Sequence, residues 1–319
     1  DEYQAYISAW GWTQGNVAIH ELLHAVQSGY DIRDPWSQDA HPFMWIAEGT
    51  STVVGMTYQT NPAGINGGTV TVRPQEPPQI LDEQMHSYSG TAAYARQDFF
   101  AFLARRYNGG SFRNLADLYQ QVANQTEGQF GKGFEEYDTL YRRGMNAHLS
   151  QGLNVTLPDA YTEFAVDRAY RHRDAALLRS ADRALPMGSL DRSLFKRLTT
   201  WDPSVQTVLR SRDWDTAGRG VNPLQTWAIK VNVPASARSA GVLQIPIKVE
   251  FAPLSRDGVR IFLFRESGGV QTTEGEMEIT DISQPVSVPV SASLPTLTIL
   301  VVLITVDSEM FTHLLVPAS

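Results

Sequence analysis

The chain of 319 residues contains no cysteine. That single absence excludes a disulfide scaffold, a thiolate zinc site, an iron–sulfur cluster and a cysteine nucleophile. Any metal ion must be held by histidine and carboxylate. Lysine is scarce: only Lys132, Lys196, Lys230 and Lys248 occur, so the cationic side chains are mainly arginine. With 26 basic against 34 acidic residues the net charge is −8, and no basic cluster is interleaved with aromatics. Both facts argue against a nucleic-acid partner. Long apolar runs are missing too. The longest, Leu297 to Val306, is interrupted by Thr298 and Thr305 and falls well short of the ~20 residues that a membrane-spanning helix needs. It reads as a buried strand, and no transmembrane segment is expected. No signal peptide or lipidation signal is visible, and the chain opens on Asp1-Glu2 rather than Met, which reads as a processed or shortened chain.

What is present is an ordinary globular composition, 42% hydrophobic and 19% charged, in enough chain for two domains of ~150 residues. The period of the apolar residues divides it. Asn16 to Tyr30, Pro42 to Tyr58, Thr91 to Tyr107, Ser111 to Ala123, Phe134 to Leu149 and Asp159 to Leu178 carry apolar residues at mixed spacings of three and four, the pattern of helices. A Pro/Gly-rich stretch from Asn61 to Ile80 separates the second from the third, and within it Thr69-Val70-Thr71-Val72 alternates like one arm of a hairpin. After about residue 195 the runs become short, rich in Val, Ile, Phe and Thr, and bounded by turn residues. They are Gln225 to Val233, Gly241 to Phe251, Gly258 to Phe264, Glu276 to Ile282, Pro285 to Val290, Leu297 to Val306 and Phe311 to Val316. Seven such runs suggest an antiparallel β-sandwich of immunoglobulin-like size. The expected fold class is multidomain α+β. A mainly helical domain spans 1–195, residues 196–222 form a linker or the first part of the sandwich, and the all-β domain spans 223–319.

The sharpest local feature is His20-Glu21-Leu22-Leu23-His24. On a helix, positions i and i+4 lie on one face a turn apart, so both imidazoles can reach one ion while Glu21 occupies the adjoining edge. Composition alone would yield such a pentapeptide on the order of once in a hundred shuffled sequences, so the pattern is specific. A catalytic zinc ion needs a third protein ligand and an open position. Glu48 is the candidate: it comes 24 residues after His24, on the second helix, between Ile46, Ala47 and Val53. A carboxylate in apolar surroundings is uncommon unless it is paired or metal-bound.

At these residues the sequence resembles the gluzincins, the thermolysin-like zinc metallopeptidases in which a second helix supplies a glutamate as third ligand. The resemblance covers about residues 10 to 180. It implies a zincin-like catalytic domain over 1–195, one catalytic zinc ion held by His20, His24 and Glu48, and Glu21 as general base. A metzincin is not resembled, because Ala25 to Tyr30 lacks the third histidine and the glycine spacing of that extended motif. The segment Tyr94 to Gly109 is similar to the helix after the metal site in bacterial gluzincin-like peptidases, where a tyrosine near the helix start faces the active site. Tyr94 is the first candidate for that hydrogen-bond donor to the oxyanion and Tyr88 the second, with His86 an alternative proton donor. Ser51 and Thr52 are candidates to orient the imidazoles, although thermolysin-like enzymes use a carboxylate there. The resemblance also implies a β-rich lobe before the motif helix, whereas 19 residues precede His20. Either that lobe has been removed, or the cleft is built differently, for instance with Val70 to Val72 as its edge strand.

The leading expectation is therefore a zinc-dependent peptidase acting on peptides or proteins outside the cytoplasm, secreted or at the cell surface or in the periplasm. The alternative is a non-catalytic surface or adhesion protein that retains the metallopeptidase scaffold and binds through its β-sandwich. Retention of Glu21 beside both histidines speaks for the enzyme. A zinc hydrolase of non-peptide amides would use the same groups. Asp31, Asp34 and Asp39 lie in one loop with spacing that could bind calcium, but without the regular pattern of an EF-hand. Trp10 and Trp12 read as core aromatics beside the motif helix, and His41 receives no role.

Overall fold

The structure, a computed structural model, describes residues 14–30, 43–60, 70, 79, 81–82, 92–109, 111–129, 131–132, 134–170, 190–196, 199–201, 208–210, 224–245, 248–250, 259–267, 270–278, 286–304, 306 and 313–317. The chain divides into two compact units. One comprises Asp1–Gln79, Met85–Phe164 and Arg173–Leu185; the other comprises Ile80–Gln84, Ala165–His172 and Pro186–Ser319. The coarse expectation, a helical part followed by a β part, holds.

The first unit is built on helices α1 (Gln14–Ser28), α2 (Met44–Thr60), α3 (Ala92–Ala95), α4 (Gln97–Tyr107), α5 (Leu115–Thr126), α6 (Phe134–Gly152) and the start of α7 (Leu157–Tyr170). Helix α2 lies at its centre. Apart from Met44, every residue from Phe43 to Thr57 is buried, among them the polar Glu48, Thr50, Ser51, Thr52 and Thr57. Its neighbours approach closely because two glycines permit it. A Cβ at Gly55 would stand 2.8 Å from the Asn16 carbonyl of α1, and one at Gly49 would stand 2.8 Å from the Phe100 ring of α4. Helices α1 and α2 run antiparallel. Asn16 Nδ2 donates to Met56 Sδ at one end, and Gln27 Nε2 donates to the Ala47 carbonyl at the other. Phe99 packs edge-on against Tyr161 and Phe164, and Trp45 of α2 stacks on Phe100.

The helix expected over Thr91 to Tyr107 is interrupted at Arg96, where α3 ends and α4 begins. The helix expected from Ser111 begins at Leu115. Asn108 Nδ2 donates to the Ser111 carbonyl at 2.6 Å and holds the chain in a turn first. Val70 is fully buried and its carbonyl accepts from Arg105 Nη2; Thr71 and Val72, the rest of the proposed edge strand, lie outside the described residues.

The second unit holds the β structure. Its main sheet is made, in spatial order, of β1 (Thr199–Trp201), β3 (Gln225–Asn232), β9 (Thr296–Leu303), β6 (Val259–Ser267) and β7 (Val270–Glu278). Strands β2 (Val208–Arg210), β10 (His313–Pro317) and β5 (Lys248–Glu250) form a second sheet, and β4 (Val242–Ile245) pairs with β8 (Val286–Pro289). The register aligns Ile229 of β3 with Ile299 of β9, and Ile299 with Leu263 of β6. Residues 225–229 and 297–300 are buried without alternation, so both faces of the two strands are covered over those stretches. The pairing of β1 with β3 is parallel, unlike the other strand pairs described. A short helix, α8 (Ala235–Ala240), interrupts the strands; Pro234 precedes it and Gly241 ends it at φ 73°, the left-handed position where glycine carries no Cβ penalty. Residues near 81 belong to this unit through backbone bonds: Leu81 donates to the Leu194 carbonyl and accepts from Thr226, both at 2.8 Å.

Candidate metal centre

Helix α1 inverts the usual amphipathic pattern. Its stripe towards α2 carries polar residues at helical spacing, with Asn16, His20 and Gln27 buried and His24 half-buried, while Leu22 and Val26 are 58% and 43% exposed. Burying polar groups costs free energy unless they are paired, and partners across the helix interface meet this stripe: Met56 for Asn16, Ala47 and Thr50 for Gln27, and Glu48 for both histidines. Opposite it, α2 presents Glu48, the single charged residue in that helix, with its side chain 10% exposed.

The three side chains converge. His20 Nε2 lies 3.1 Å from Glu48 Oε2, His24 Nε2 lies 3.5 Å from Glu48 Oε1, and the two Nε2 atoms are 3.0 Å apart. Ligands at ~2.0–2.2 Å around a tetrahedral ion are separated by roughly 3.3–3.5 Å. The observed spacings match within a few tenths of an ångström, so the donor set fits one small ion. Two imidazoles and one carboxylate suit zinc and its transition-metal neighbours, and not calcium or magnesium, which take oxygen ligands.

The electrostatics agree with a centre that favours positive charge. Burial raises the pKa of the Glu48 carboxyl, but hydrogen bonds from His20 and His24, and their charges, outweigh it and hold the group at about 2. Burial pulls the His24 imidazolium down; the hydrogen bond and charge of Glu48, with smaller help from Gln27 and Glu21, reverse this and raise its pKa above the ordinary 6.5.

Of the other residues singled out from sequence, Glu21 is exposed, on the same helix one position after His20. The Tyr94 ring, half-buried on α3, stands 5.9 Å from the His20 ring at an interplanar angle of 34°. Tyr88, His86, His41, Trp10, Trp12 and the loop of Asp31, Asp34 and Asp39 lie outside the described residues. Thr52 is buried, and its hydroxyl has no hydrogen-bond partner among the described residues. It therefore does not orient an imidazole, because its hydroxyl reaches neither ring. Ser51 does join the surroundings of the site, through a residue the sequence reading passed over. Gln27, three positions after His24 on α1, faces His24 Nδ1 at 2.8 Å through Oε1. Its Nε2 lies 3.1 Å from Thr50 Oγ1, 3.1 Å from the Tyr119 hydroxyl, 3.2 Å from the Ala47 carbonyl and 3.3 Å from Ser51 Oγ. The signal that could have found it is its place on the polar stripe of α1, one turn beyond the second histidine. No family model, curated protein or solved structure matches the chain.

Proposed function

We propose that the chain is a zinc-dependent peptidase of the gluzincin type. The observation that carries this reading is the convergence of His20, His24 and Glu48 from two antiparallel helices onto a volume that fits one ion. A zinc ion in that donor set supplies Lewis acidity, which polarises a carbonyl and makes water nucleophilic near neutral pH. The remaining work falls to the chain's own groups. The Glu21 carboxylate, exposed next to His20 and so open to substrate and solvent, takes the proton of the attacking water and passes it to the leaving amine. Tyr94, whose ring stands beside His20, donates a hydrogen bond to the oxyanion. The close approach of α1 to α2 at Gly55 and of α4 to α2 at Gly49 supports a fixed placement of Glu48 opposite the histidines. In this reading the β unit is an immunoglobulin-like sandwich, and the enzyme works on peptides or proteins outside the cytoplasm.

The test combines metal analysis with a quenched-peptide assay of the wild type and Glu21→Gln. Both proteins bind about one zinc per chain, and only the wild type cleaves. A zinc-loaded wild type that is inert on a diverse peptide library contradicts the peptidase reading. Iron rather than zinc in the isolated protein points to the oxygenase chemistry that two histidines and one carboxylate also support.

A further inference from the structure

The side chains around Gln27 fix where the hydrogens lie. The Ile46 and Ala47 carbonyls can only accept, and the Thr50 hydroxyl lies 2.7 Å from the first and 3.2 Å from the second. Its one hydrogen is therefore committed to the backbone. Towards the Tyr119 hydroxyl, 2.9 Å away, the Thr50 oxygen can then only accept, so Tyr119 is the donor. Both hydroxyl oxygens now present only lone pairs to Gln27, and so does the Ala47 carbonyl. The end of the Gln27 amide facing these three groups must be the NH2. The end facing His24 Nδ1 at 2.8 Å is then the carbonyl oxygen, which only accepts, so Nδ1 carries the hydrogen. A neutral imidazole has one such hydrogen, and its Nε2 is left with a lone pair directed at His20 Nε2 and Glu48.

We infer that Gln27 is a positioning residue that locks the His24 imidazole in the Nδ1–H tautomer and aims its Nε2 lone pair at the ion site, with Thr50, Tyr119 and the α2 backbone fixing the amide. This rests on the metal-centre reading for its purpose, but the tautomer follows from the hydrogen-bond chain alone. The arrangement differs from a carboxylate partner because a neutral amide has only one accepting end. The Ala47 carbonyl, an acceptor, selects which end that is.

Nitrogen-15 NMR of histidine-labelled, metal-free protein, at a pH above the His24 pKa, reads the tautomer directly. The wild type gives the Nδ1–H signature for His24, and Gln27→Met, which keeps the length of the side chain without the acceptor, loses it. Gln27→Glu retains an oxygen opposite Nδ1 and recovers it. In competition with a zinc chelator, Gln27→Met binds roughly 10–100-fold more weakly than the wild type, and Gln27→Glu falls between them. An Nε2–H signature for His24 in the wild type overturns the inference, and so does equal zinc affinity in a folded Gln27→Met. If the wild type takes up no zinc, the metal-centre reading fails while the wild-type spectrum still decides the tautomer. That spectrum needs no variant, so poor folding of Gln27→Met leaves the inference open to refutation.

Discussion

Replacing Glu48 with glutamine tests how His20, His24 and Glu48 are held together in the metal-free chain. Glutamine keeps the shape and removes the charge, which is the single charge on α2. In the metal-free chain the Glu48 carboxyl stands at about 2 against an ordinary 4.5. At ~1.4 kcal/mol for each tenfold change in proton affinity, that depression is worth on the order of 3 kcal/mol. The sign follows from the direction. A depressed carboxyl contributes stability that is complete above its unfolded value and is lost as pH falls from about 4.5 towards 2. His24 moves the opposite way: its raised pKa contributes stability that is complete below 6.5 and is lost as pH rises through its folded value. The chelator-treated wild type therefore has its largest advantage over Glu48→Gln between about pH 4.5 and 6.5. Urea titrations from about pH 2 to 8 measure it. The wild-type advantage shrinks by about 3 kcal/mol towards about pH 2, where the two proteins converge, and it declines again above pH 6.5. Parallel stability curves across that range would refute the reasoning, because Glu48 would then not be paired with the histidines.

Three other perturbations probe separate parts of the molecule. Gly55→Ala places a methyl group 2.8 Å from the Asn16 carbonyl, which is backbone and cannot rotate away, so the stability read from urea titration should fall by about 1–3 kcal/mol and zinc affinity should fall with it as α1 is pushed from α2. Arg142 pairs with Asp138 at 2.9 Å with both side chains at most 5% exposed. Arg142→Ala should cost about 3–5 kcal/mol, while the double variant Arg142→Met with Asp138→Leu should return stability close to wild type, as read by thermal melting. Tyr94→Phe should leave zinc content unchanged and lower kcat on a peptide substrate by about 100–1000-fold; an unaltered kcat would remove Tyr94 from the oxyanion role.

The helices that carry the candidate ligands are legible in the sequence because the pattern there uses local spacing. His20 and His24 are one turn apart, and Glu48 is the single charged residue of its helix. The surroundings of the site are less legible, for a physical reason. Gln27 acts through partners 20 to 92 positions away, on α2 and α5, and no periodicity encodes such contacts. Thr52 looks equivalent to Ser51 in the sequence, yet of the two it is Ser51 that meets Gln27 of α1, because adjacent helical positions point about 100° apart. In the β unit, the run at β9 announces itself by its Val, Ile and Leu content, and β3 by Trp227, Ile229 and Val231 at alternate positions. Strands β1 and β2 are three residues each and α8 is six, too short for a period to develop. The parallel register of β1 on β3 is set by tertiary pairing alone.

Zinc-edge anomalous diffraction from the zinc-loaded protein tests the central claim most directly. One strong peak is expected about 2.0–2.2 Å from His20 Nε2, His24 Nε2 and a Glu48 carboxylate oxygen. A peak elsewhere, or no peak in protein shown to be folded, would contradict the assignment of these three side chains as the ligands of one ion.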